Sequence, residues 1–147
     1  MSTAAAVKPS LTIKRRFNAA PEKVFSAWTD PEKVKRWMGG HEIKSVQAET
    51  DPRAGGRYRI VMHASDGEKH DVSGVYREVI ANEKLVFTWA WKSTPERESL
   101  VTLMFKSDGD GTLMTLTHEQ FFDADARDRH QGGWNGAMEK LEKYLGT

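Results

Sequence analysis

Histidine gains and loses a proton near neutral pH, and this chain carries five of them: His41, His63, His70, His118 and His130. Two fall where a pattern turns them inward. His118 follows Met114 and Leu116 at steps of two, so the three share one face of a strand. His130 stands four residues before Trp134 on an apolar stripe of helical spacing. Each has two readings: a general acid or base, or a buried side chain whose hydrogen bond holds its element in place. Other reactive groups have less behind them. Ser26, Ser73 and Ser99 have no neighbouring base in sequence, so no nucleophile is indicated. The 147 residues contain no cysteine, which excludes disulfides, thiolate catalysis and cysteine-ligated zinc within them. No close cluster of His, Asp and Glu supplies three metal ligands. Asp108-Gly109-Asp110-Gly111 joins two strands and precedes no helix, so it reads as a hairpin and not a phosphate loop. No cofactor and no catalytic residue is expected.

The elements that must hold these residues are legible from local signals. Leu11 to Phe17 begins as a half-buried strand. Pro21-Glu22-Lys23-Val24 and Pro31-Glu32-Lys33-Val34 are two near-copies of one helix start, ten residues apart. Proline suits the first helical position, glutamate complements the helix dipole, and Asp30 can cap the second helix. They predict two short helices, back to back, ended by Gly39-Gly40. Alternation then recurs from Glu42 to His118, with turns at Asp51–Gly56, Ser65-Asp66-Gly67, Ala81–Lys84, Ser93–Glu98 and Ser107–Gly111. Arg15, Arg16, Arg57 and Arg59 are expected on outer strand faces. From about Asp123 the period changes, and His130, Trp134, Met138, Leu141 and Leu145 make one stripe on a long helix.

The predicted fold is α+β: a curved antiparallel sheet of about seven strands around a long C-terminal helix, with two short helices after the first strand. Short connections require antiparallel pairing, and one long helix is the only cover available for the sheet's apolar face. Such a grip leaves room for a cavity. Five Trp and six Met suit either a well-filled core or a pocket wall. By phase, the candidate ligand-binding residues are Tyr58, Met62, Tyr76, Phe87, Trp89, Phe105 and His118 from the sheet, and His130, Trp134 and Met138 from the helix. Trp37 is expected at the mouth.

Net charge is +1, which gives no general electrostatic case for nucleic acid. No apolar run approaches the roughly 20 residues that span a bilayer. Residues 1–10 read as a flexible tail without a signal-peptide core, 11–147 as one domain, and the expected location is cytoplasmic.

Three stretches carry a family resemblance: Ala20-Pro21-Glu22-Lys23-Val24-Phe25 through to Trp37; Gly55-Gly56-Arg57-Tyr58 followed by Gly74-Val75-Tyr76-Arg77-Glu78-Val79; and His130-Gln131-Gly132-Gly133-Trp134 with its helix. Together they span roughly Leu11 to Leu145. The chain resembles the activator of heat-shock protein 90 ATPase homologue-like family, within the START and birch-pollen-allergen-like (SRPBCC) superfamily. The resemblance implies the helix-grip fold and a hydrophobic cavity between sheet and last helix. Superfamily members bind lipids, sterols, flavonoids or polyketide-like molecules, and a few are enzymes. The expected function is binding of a hydrophobic small molecule, as monomer or homodimer. The alternative is a chaperone-associated or stress-response interaction module, and a third reading is a cavity enzyme on polyketide-like substrates.

Overall fold

Asp30 closes one helix and opens the next. Its N–H donates to Ser26 O (2.9 Å), and its carboxylate accepts from the Glu32 N–H (3.0 Å). The first helix, α1, runs Pro21–Thr29 and the second, α2, Pro31–Trp37, each with proline at its start. They lie between strands β1 (Leu11–Phe17) and β2 (Ile43–Thr50). The remaining elements are β3 (Arg57–Ala64), β4 (Lys69–Ile80), β5 (Lys84–Trp91), β6 (Ser99–Asp108), β7 (Gly111–Glu119) and the long helix α3 (Ala124–Tyr144). These come from a computed structural model that describes residues 8–146. Residues 1–7 of the expected tail lie outside the described residues. Pro9 O accepts from the Phe121 N–H (3.2 Å).

All seven strands form one antiparallel sheet in the order β1-β7-β6-β5-β4-β3-β2, curled around α3 in the helix-grip arrangement. The first two strands in sequence are therefore its two edges. The chain must cross the open side of the sheet to get from one to the other, and α1 and α2 are that crossing.

Curvature has a local cause. Gly74 on β4 sits where any Cβ would lie 2.0 Å from Thr88 O on β5. Tyr58, paired with Gly74 across β3 and β4, reaches over it, and its hydroxyl donates to that same Thr88 carbonyl. The Val75 N–H turns to the Thr88 hydroxyl (2.8 Å) instead of a ladder carbonyl. A register shift between Tyr76 and Glu78 adds to the bend, as bulges do.

Asp123 caps α3, accepting from the Ala126 N–H (2.8 Å). The helix is unevenly packed. Its C-terminal half buries Trp134, Ala137, Met138 and Leu141, whereas residues 124–133 bury only Ala126. The two short helices hold the packed half. Lys140 Nζ donates to Met38 O (3.4 Å) and Gly40 O (3.2 Å) just beyond α2, and burial lowers its pKa. Lys23 Nζ reaches Leu145 O (3.5 Å), and His41 Nε2 meets Glu139 Oε2 (2.7 Å).

Two expectations are corrected here. Trp37 is not at a mouth: it is wholly buried, packs edge-on against Trp28 (4.5 Å between ring centroids), and donates to Ala27 O (3.0 Å). Its helical phase turns it into the α1–α2 contact. Arg15 does not face outward with Arg16. Alternation from Leu11 and Ile13 puts it on the helix side, where it pairs with Glu142 of α3 (3.3 Å). Among the described residues no helix is long and apolar enough to cross a membrane.

Candidate functional site

The unpacked half of α3 stands over a cavity of about 930 Å³. Its floor is aromatic: Trp89 and Trp91 from β5, Phe121 from the link into α3, and Trp134 from the helix. Met38, Ile43 and Met62 close the side nearest α2, and Ala126, His130, Gly133 and Ala137 form the helical wall. This wall shares only His130 with the apolar stripe that marks the helix in sequence, whose Met138, Leu141 and Leu145 are buried in the core. A Cβ added at Gly133 would meet no heavy atom within 4 Å. Glycine there costs helix stability and leaves the space open.

The five tryptophans form one continuous chain of ring contacts. Centroid separations are 4.5 Å for Trp37–Trp28, 5.8 Å for Trp28–Trp134, 5.1 Å for Trp134–Trp89 and 5.5 Å for Trp89–Trp91. The chain starts in the α1–α2 core and ends on the cavity wall, so the same residue type serves both as packing and as lining.

His118 and His130 are 5.2 Å apart between ring centroids, and each is locked into one neutral tautomer. An indole N–H only donates. Trp134 Nε1 donates to His118 Nδ1 (3.0 Å), so the proton of His118 is on Nε2, which donates to Ser99 Oγ (2.7 Å). The Ser99 hydroxyl passes its own proton to Trp89 O (3.2 Å). Likewise Trp91 Nε1 donates to His130 Nε2 (2.9 Å), and His130 Nδ1–H donates to Ala126 O (2.7 Å). Protonating His118 would set its new N–H against an indole N–H. Burial, with a smaller effect of His130, pushes its pKa down to about 2. Burial also lowers His130, opposed by its bond to Ala126 O and helped by the charge of Arg129.

The residues singled out by phase divide among three places. Met62, Trp89, His130 and Trp134 stand on the cavity wall. Tyr58, Tyr76, Phe87 and the far side of Trp89 border a separate void of only about 20 Å³. Burial raises the phenol pKa values of both tyrosines, and the Tyr58 hydroxyl is already spent on Thr88 O. Trp37, Phe105, His118 and Met138 are packed in the core, Phe105 edge-on against Phe25 (5.5 Å). Residues other than Trp37 make the mouth. Arg97 and Thr94 of the β5–β6 loop, His70 at the start of β4, and Phe122 and Arg129 around the start of α3 all border the opening. Arg129 directly precedes His130, the first residue of the helical stripe read from the sequence. The loop residues have no periodicity to mark them.

The sequence profile of the Activator of Hsp90 ATPase homolog 1-like protein family matches residues 18–146. The chain belongs to this family. A curated relative is the human activator of 90 kDa heat shock protein ATPase homolog 1, 26% identical over 125 residues. The match takes in 84% of this chain and 33% of the human protein, so the chain spans about a third of that relative's length. Among solved structures, a Chromobacterium violaceum protein superposes with a TM-score of 0.86 at 22% identity, covering 94% of this chain and 97% of its own. An AHSA1 protein of Silicibacter pomeroyi gives a TM-score of 0.80 at 27% identity, covering 93% and 97%. The family's fold is therefore the one described above, and the matched residues include all of α1, α2 and α3.

Proposed function

We propose that this activator-family chain binds a hydrophobic small molecule between its sheet and α3. One observation carries the reading: an aromatic-floored cavity of about 930 Å³ beneath a helix whose own glycine leaves it unfilled. That volume lies within the range of small-molecule sites, which are mainly apolar with a few polar groups. His130 and Ser99 on the cavity wall already have their hydrogen-bond partners within the protein, so an apolar body can lie against them without stranding a donor or acceptor.

A screen of aromatic and lipid-like compounds tests this. A binder present at about 100 times its Kd stabilises the fold by about 2.7 kcal/mol and raises Tm by several degrees. It also quenches tryptophan fluorescence, because Trp89, Trp91 and Trp134 line the site. Gly133→Phe, which fills the space without touching the core, abolishes both effects. A broad screen that moves neither signal, or a Gly133→Phe protein that binds as before, contradicts the reading.

The human relative's name supports a second reading, association with a 90 kDa heat-shock chaperone. Recovery of that chaperone with the purified chain, and stimulation of its ATPase, would favour it over ligand binding alone. The enzyme reading has the least support. His118 and His130 use both ring nitrogens within the protein, so neither offers a free lone pair to a substrate.

A further inference from the structure

The polar groups of the cavity are distributed unevenly. In the interior, His130 bonds Trp91 and Ala126 O, and Ser99 bonds Trp89 O and the core residue His118. At the opening the polar groups are mostly cationic and at most loosely paired. Arg129 lies one residue before His130 on the wall stripe and has no ion-pair partner among the described residues; its charge is felt at His130. Arg97 of the β5–β6 loop borders the same cavity, its guanidinium 3.7 Å above the ring of Phe122, with only a 3.9 Å contact to Glu96. Phe122 is itself 56% exposed. His70 packs its ring on Trp91 (6.2 Å) and makes no hydrogen bond among the described residues.

Two acids also border the cavity, and both have cations of their own. Asp71 takes two hydrogen bonds from Arg59 (3.1 and 2.6 Å) and also feels Lys69 and Lys92. Glu42 acts on Lys140. The mouth is thus left with an excess of positive charge, above an apolar floor.

We infer that the ligand is an anionic amphiphile: an apolar body lying on Trp89, Trp134 and Phe121, and an acidic head held at the mouth by Arg97 and Arg129. This rests on the cavity reading above and adds to it the charge and the direction of entry. A neutral ligand would leave Arg129 without an ion pair and Arg97 with only its long contact to Glu96, whereas a carboxylate or similar head gains charge-assisted hydrogen bonds from both. The head stays at the surface, where its desolvation is small, and the tail takes the dry end.

Decanoate, methyl decanoate and decyltrimethylammonium share one apolar chain and separate the charge from it. Below their micelle concentrations, tryptophan quenching should give decanoate about tenfold tighter binding than the ester, and the cation weaker than both. Added salt should weaken decanoate alone. In the Arg97→Gln/Arg129→Gln protein the decanoate-to-ester ratio should fall to about one. Equal affinity of acid and ester in the unaltered protein, both lost in Gly133→Phe, overturns the anionic head and keeps the cavity. So does a ratio unchanged by the double substitution. Failure of all three probes to bind overturns both.

Discussion

At the scale of the residue, the decisive fact is that His118 is held neutral. Its pKa of about 2 in the fold compares with 6.5 for the free side chain. The unfolded chain therefore takes up a proton that the folded chain refuses throughout that window. Stability from this source is complete above about pH 6.5 and is lost as pH falls, by about 1.4 kcal/mol per pH unit. His130, also lowered, acts in the same direction. Urea midpoints should therefore drop between pH 7 and pH 5. The slope should lose about one proton in His118→Gln, whose carbonyl can still accept from Trp134. An unchanged slope would show that His118 titrates normally. The inward orientation of His118 was legible because a strand has a period of two. Its hydrogen-bond partners were not, since Trp134 and Ser99 reach it from other elements.

At the scale of the element, glycines in the sheet and in α3 have opposite costs. Gly74 permits β5 to approach β4 and lets Tyr58 cross over it, so a methyl group there would meet backbone at 2.0 Å. Gly74→Ala should destabilise by more than about 3 kcal/mol. Gly132 and Gly133 sit within α3 with open space around them. Gly132→Ala should stabilise by about 0.5–1 kcal/mol, the ordinary helix-propensity gain. Thermal unfolding of the two alanine variants checks both signs at once. The doubled Pro-Glu-Lys-Val starts were legible because caps and proline act within a single turn of chain. Gly74 looked like any glycine in a strand, because what constrains it is a strand more than ten residues away. Trp37 was assigned to the mouth for a similar reason: helical phase gave its face, and only the packing of α1 on α2 gave what that face meets.

At the scale of the whole molecule, the fold follows from a shortage of cover. Seven strands curl around one long helix, and the two short helices secure only its C-terminal half. The other half is left standing over the cavity, bordered by loops. That division explains why the container was legible and its opening was not. Periodic elements build the floor and the helical wall, while Arg97 and Phe122 come from connections without a pattern. The methionines record the division directly. Met38 and Met62 line the cavity, Met114 and Met138 are buried in the packed core, and Met104 is exposed. Methyl NMR of the methionine-labelled protein, titrated with decanoate, is the most direct test of where a ligand goes. The account predicts that Met38 and Met62 shift together and saturate, while Met104, Met114 and Met138 stay fixed. Shifts confined to Met104, or none at a concentration that quenches tryptophan, would contradict it.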